Sequence, residues 1–279
     1  MRFGFHISIA GGFSKVVKRA KTRGCETIQL FSRNPRRWNS TLLDERNVGV
    51  FKKELREAAI SPVFIHLPYL PNLATKRSPF YDRSLMVLCE DLRRAETLGA
   101  FYLVVHMGSR LGAGEAESVK TLAESINRAF QETENCTTLL LENTSGQGSQ
   151  IGSRFEEIGS VIERVEDQHR IGVCFDTAHA FGAGYDISSR KGLDATLDEL
   201  HCFVGVQRLL LVHLNDTKVP LGSHKDRHWH IGKGRIGLEG FRNIVNDPRL
   251  RHLPGIMETP RKVDREDLEN MEVIRSLVD

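Results

Sequence analysis

The sequence predicts an α/β fold, a single (β/α)₈ TIM barrel over residues 1–279, and three observations carry that expectation. Eight short runs rich in β-branched and apolar residues recur along the chain. Amphipathic helical patterns lie between them, and no Pro/Gly/Ser-rich linker, low-complexity tract or shift in composition divides the sequence. Strands that are apolar almost throughout are buried on both faces, as in a parallel sheet covered by helices, and eight such repeats close naturally into a barrel. An open doubly wound sheet is the alternative arrangement of the same repeats.

The runs, in order, are RFGFHIS, ETIQLF, SPVFIH, FYLVVH, TTLLLE, IGVCFD, RLLLVH and PGIMET. Before the fourth, Leu85, Leu88, Leu92 and Ala95 keep the spacing of one helix face. Val119, Leu122, Ala123, Ile126, Ala129 and Phe130 do the same before the fifth, and Phe155, Ile158, Ile162 and Val165 predict the next helix. Gly24 and Gly99 fall where helices should stop, at positions where glycine turns left-handed without a Cβ penalty.

Composition sets the class. Hydrophobic residues at 40% and charged ones at 27% describe an ordinary globular chain, and no apolar run approaches the roughly 20 residues of a membrane span. The opening MRFGFHISIAGG reads as a first strand and not as a secretory signal, so a cytoplasmic protein is expected. Five scattered cysteines without a C-x-x-C pair are expected to be reduced and mostly buried. A net charge of +3 permits a polyanionic partner without requiring one. The basic residues are grouped: Arg33, Arg36 and Arg37 in SRNPRRW, Lys76 and Arg77 in ATKRS, Lys225 and Arg227 in HKDRH.

The strand ends carry the chemistry. From the third run onward they finish at His66, His106, Glu142, Asp176, His213 and Glu258, at intervals of 40, 36, 34, 37 and 45 residues, each about one βα unit. In a barrel these six side chains converge on the C-terminal mouth, where active sites lie. A lone histidine ending a strand is ordinarily structural. Six potential ligands in succession are not explained by packing, because buried charge is costly unless paired or bound to metal. Two further segments add donors. In FDTAHAFGAGYD, His179 reaches back from the loop after the sixth run; in DRHWH, Asp226 and His228 stand two apart and share one side of an extended segment. Nine donors suit two or three ions with bridging carboxylates. Their imidazole content favours zinc, with manganese or iron as substitutes, over magnesium. His230 competes with His228 for the metal role, and His224 and His201 are unassigned. GQGSQIG lacks the Lys-Ser/Thr of a nucleotide phosphate loop and is expected to shape a tight active-site loop.

In HISIAGG, FSRNPRRW, IHLPYLPNLA, VVHMGS, LLLENTSGQGSQIG, GVCFDTAHAFGAGYD, LVHLNDTK, DRHWHIGKGRIG and METP, which span almost the whole chain, the sequence resembles the endonuclease IV family of apurinic/apyrimidinic (AP) endonucleases. The resemblance implies three zinc ions, a double-stranded DNA substrate containing abasic sites, and base excision repair by a monomer. The reaction it implies is hydrolysis of the phosphodiester 5′ to the lesion, leaving a 3′-hydroxyl and a 5′-deoxyribose phosphate. Carried over residue by residue, His66, His106 and Glu142 hold one zinc. Glu142, as a bridge, holds a second with Asp176, His213 and Glu258, and His179, Asp226 and His228 hold the third. Glu142 is also the expected catalytic residue, orienting the attacking group. Arg36, Tyr69 and Leu70 are the expected DNA contacts, filling the gap left when the abasic nucleotide swings out. Trp229 and His230 sit where the family varies, and Pro35, Leu67 and Pro68 neighbour the expected DNA contacts. A two-metal sugar or sugar-phosphate isomerase on a related barrel would leave His179, Asp226 and His228 unexplained. A non-catalytic lesion binder would hold zinc in closed structural sites, whereas a barrel mouth leaves ligand positions open.

Overall fold

The computed structural model describes residues 1–261 and 263–279. Its strands are β1 (Arg2–His6), β2 (Thr27–Phe31), β3 (Val63–His66), β4 (Tyr102–His106), β5 (Thr138–Glu142), β6 (Ile171–Asp176), β7 (Leu209–His213), β8 (Asp216–Thr217), β9 (His228–Trp229) and β10 (Pro254–Met257). The helices are α1 (Val16–Thr22), α2 (Glu45–Glu57), α3 (Tyr81–Leu98), α4 (Glu115–Glu132), α5 (Phe155–Ile162), α6 (Thr177–Ala183), α7 (Arg190–Phe203), α8 (Gly237–Asn246) and α9 (Asp264–Ser276). Strands β1 to β7 and β10 pair in parallel, and β10 pairs back with β1, so the sheet is a closed TIM barrel and not an open one. All eight apolar runs became barrel strands. The short β8 and β9, which no pattern in the sequence foretold, form an antiparallel ribbon in the long connection after β7, with Thr217 opposite His228.

Alternation along the strands builds the floor of the mouth. Side chains two residues apart share a face, so the residue two before each predicted ligand at a strand end points into the barrel beneath it. Those six residues, Phe64, Val104, Leu140, Cys174, Leu211 and Ile256, are fully buried and pack together as an apolar plug. Their neighbours, such as Leu103, Leu139, Leu141 and Val212, face outward and are buried beneath the helices. Hence the strands read as apolar almost throughout. β10 stops at Met257, so Glu258 lies one residue past the strand and not at its end.

The helix faces read from the sequence are the buried ones: Leu85, Leu88, Leu92 and Ala95 on α3, and all six apolar positions on α4. α5 ends at Ile162, so Val165 is buried beyond the helix instead of on it. Gly24 (φ 67°) and Gly99 (φ 74°) take the left-handed conformation that stops α1 and α3. Cys25, Cys89 and Cys174 are buried while Cys136 and Cys202 are exposed, all as free thiols.

One member of the basic clusters is not a surface residue. Arg33 is buried, and its Nε donates to Asp91 Oδ1 of α3 at 2.7 Å. Ser32 Oγ donates to the same oxygen at 2.7 Å, and Arg94 donates to Ser32 O (2.5 Å) and Thr41 O (2.8 Å). This network ties the irregular segment between β2 and α2 to the barrel wall. Asp91→Ala would leave two guanidinium groups without their buried counter-charge, and we expect it to cost about 3–5 kcal/mol in denaturant unfolding. A change within a few tenths of wild type would show that the network does not stabilise the fold.

Candidate metal centre

Glu142, at the end of β5, is the centre of the mouth. Its fully buried carboxylate lies 3.2 Å from His66 Nε2 and 3.4 Å from His106 Nε2 through Oε2. Through Oε1 it lies 3.1 Å from His213 Nδ1 and 3.3 Å from His179 Nδ1. Three sets of donor atoms each fall within 4.8 Å of one another: His66, His106 and Glu142; Glu142, Asp176, His213 and Glu258; and Asp176, His179 and His228. Asp226 adjoins the third set, 3.2 Å from His179 Nε2 and 3.4 Å from His228 Nε2. The structure therefore brings all nine expected donors together. It also places Asp176 in two sets, where the resemblance assigned it to one.

His179 lies on α6 and not in a loop. Asp176 caps that helix, its Oδ1 accepting the His179 N–H at 2.7 Å. An aspartate at this position satisfies a backbone donor that the helix start leaves free, and the turn it nucleates lifts His179 over Glu142. Outer partners fix the imidazoles. His66 Nδ1 meets Leu67 O at 2.6 Å and His179 Nδ1 meets Asn143 O at 2.9 Å, orienting each ring as ligand histidines are oriented. Asn143 Oδ1 accepts from Asp176 N (2.7 Å), while Asn215 donates to Asp176 Oδ2 (2.7 Å) and accepts from Glu258 N (2.8 Å). Sequence reasoning missed both asparagines, although Asn143 directly follows a strand-end ligand and Asn215 comes two after another. It also missed His6 and Gln29, which β1 and β2 bring to the mouth: His6 Nδ1 lies 3.2 Å from Glu258 Oε1, and Gln29 Nε2 donates to the same oxygen at 2.6 Å. A single glutamine inside the apolar run ETIQLF was the available signal.

The donor set fits divalent cations. Burial alone would raise the Glu142 carboxyl, but the imidazoles of His106 and His213 hold it well below the usual carboxylate range. Glu258, which burial would likewise raise, is held down by His213 and His6. Burial would lower His179, yet Asp176, Asp226 and Glu142 raise it well above an ordinary histidine. Carboxylates kept ionised, with the raised imidazole of His179 among them, describe a site that a cation satisfies by displacing that proton. In addition, the buried His228 Nε2 has no hydrogen-bond partner among the described residues and faces Asp176 and Asp226.

The remaining histidines stand apart. His230 is turned toward α9, with its Nδ1 accepting from Asn270 at 3.1 Å, so His228 and not His230 faces the cluster. His224 meets Ser145 O, and His201 accepts from Val206 N. Gly146 and Gly148 turn GQGSQIG through positive φ, which lets Gln147 accept from Asp226 N at 3.2 Å. Tyr69 is 64% exposed and rests edge-on against Phe31 and His106. With Leu70, it lines a cleft shared with His106 and Asp226. Arg36 is exposed on the segment after β2. Lys76 and Arg77 are exposed but pair with Glu124 and Glu117, while Arg36, Arg37, Lys225 and Arg227 are exposed with no ion pair among the described residues.

Residues 17–277 match the family model described as a xylose isomerase-like TIM barrel. A probable endonuclease 4 from Methanoculleus marisnigri is 44% identical over 98% of this chain and 98% of its own. The crystal structure of endonuclease IV from Thermus thermophilus superposes with a TM-score of 0.89 at 36% identity, covering 99% of this chain and 98% of that one. A D-tagatose 3-epimerase-like protein shares the barrel, with a TM-score of 0.76 over 99% of this chain and 97% of its own; at 15% identity it shows the fold alone.

Proposed function

The chain belongs to the endonuclease IV family, and from that premise we propose that it hydrolyses the phosphodiester 5′ to an abasic site in double-stranded DNA, using three zinc ions at the barrel mouth and leaving a 3′-hydroxyl and a 5′-deoxyribose phosphate. It is a DNA-repair AP endonuclease, a metal-dependent hydrolase. The observation that carries the finer reading is the triple donor set around Glu142. His66, His106 and Glu142 would hold the first ion, Glu142, Asp176, His213 and Glu258 the second, and His179, Asp226 and His228 the third, with Asp176 leaning toward it. Manganese or iron would serve as substitutes. When bound, zinc supplies a nucleophile at neutral pH and neutralises charge on the phosphoryl and leaving oxygens.

The chain's own residues do the rest. Four carboxylates offset only part of the charge of three divalent cations, so the mouth stays attractive to a phosphodiester. Glu142 orients the attacking group from the centre. The apolar plug excludes water from below. Tyr69, Leu70 and Arg36 stand ready to fill the space vacated by an extruded nucleotide. No helix among the described residues is long and apolar enough to cross a membrane. We take residues 1–279 to act as one catalytic domain, in the cytoplasm and as a monomer.

One experiment separates this from its rivals. Purified protein should contain close to three zinc ions per chain and cut an abasic duplex regardless of flanking sequence, because phosphate contacts carry no sequence information. Strong chelator should abolish the activity and zinc restore it. Full activity in chelator would remove the metal mechanism, and equal cutting of undamaged duplex would remove the lesion specificity. An isomerase on this barrel has no need of the third donor set.

A further inference from the structure

We propose that Gln29 is a positioning residue that selects which ring nitrogen His213 presents to the metal centre. The inference rests on the three-ion reading of the mouth. Gln29 projects from β2, is fully buried, and touches groups from three other strands or strand ends. Its Nε2 donates to Glu258 Oε1 at 2.6 Å and lies 3.0 Å from His6 Nδ1, while its Oε1 lies 2.8 Å from His213 Nε2.

The orientation of this amide follows from its partners. A carboxylate only accepts, so the amide must turn its nitrogen to Glu258, and its oxygen then faces His213. An amide oxygen also only accepts, so His213 must carry its proton on Nε2. That leaves the Nδ1 lone pair facing Glu142 at 3.1 Å, Glu258 at 3.6 Å and Asp176 at 3.7 Å, the other members of its donor set. His66 and His106 approach Glu142 through Nε2 instead, so His213 enters the cluster by the opposite nitrogen. His6 Nδ1 lies 3.0 Å from the same amide nitrogen and 3.2 Å from Glu258 Oε1, which packs its ring against this pair. Gln29 thereby couples two ligands of one ion, holding the Glu258 carboxylate and the His213 tautomer with one side chain.

The test reads protons and metal, not turnover. Long-range ¹H–¹⁵N correlation spectra of the zinc-loaded wild-type protein should show His213 protonated on Nε2 and bound through Nδ1. Gln29→Met, similar in shape but unable to donate or accept, should weaken one of the three zinc equivalents by about 10–100-fold in chelator competition, and the Nε2–H signal of His213 should lose its fixed position. Binding of His213 through Nε2 in the wild type overturns the inference without any variant, should the variant fail to fold. Three equivalents held by Gln29→Met with unchanged affinity overturn the inference alone. A wild-type chain that takes up no zinc overturns the three-ion reading and the inference with it.

Discussion

Glu142→Gln is expected to lower turnover on an abasic duplex by about a hundred- to a thousandfold or more, the range found when one group that stabilises transition-state charge is removed, while the barrel stays folded. The substitution keeps the shape and removes one negative charge from the point where four imidazoles meet. It also replaces one of the two oxygens with an amide donor, so the side chain could no longer bridge two cations. The fold is spared because Leu140 and the rest of the plug lie beneath the substituted group and are untouched. Single-turnover kinetics, circular dichroism and zinc content together check this. Wild-type rates in the variant would exclude Glu142 from catalysis.

The second large effect concerns the lesion. Replacing Tyr69 and Leu70 together by alanine is expected to weaken binding of abasic duplex by roughly 1–3 kcal/mol, a factor of about 5 to 150, as for loss of a base-stacking contact, with a parallel loss in cleavage. Both side chains are well exposed, Tyr69 at 64% and Leu70 at 39%, so the melting temperature should change little. Because the Tyr69 ring lies against His66 and His106, zinc content must be measured in the same samples. Stability falling in step with binding would mean that the two residues pack the loop and do not engage DNA.

What the sequence disclosed, and what it hid, follows from the range of the interactions. The barrel and the convergence of the strand-end donors were legible because two short periods, alternation along a strand and recurrence of the βα unit, place them without knowledge of tertiary contacts. Asp176 was read as a ligand but not as a helix cap, so His179 was put in a loop when the cap had already begun α6. Two-residue strands carry no periodicity, which hid β8 and β9. Arg33 was grouped with surface cations because nothing local reveals a buried aspartate 58 residues away. Gln29 escaped because an amide is not among the usual metal-ligand types, and its partners come from β1, β7 and the residue after β10.

The apolar plug makes the mouth a cul-de-sac. With the barrel axis stopped by Phe64, Val104, Leu140, Cys174, Leu211 and Ile256, ions would enter by the opening that the substrate would also use. Bound duplex would then act as a stopper, and the order of mixing would decide the outcome: chelator added before an uncleavable abasic duplex should strip the protein quickly, and chelator added afterwards only at the pace of DNA release. Equal stripping rates in both orders would reveal a second exit. On this geometry, a repair enzyme already seated on a lesion would keep its metal through a transient shortage that would empty its unoccupied copies.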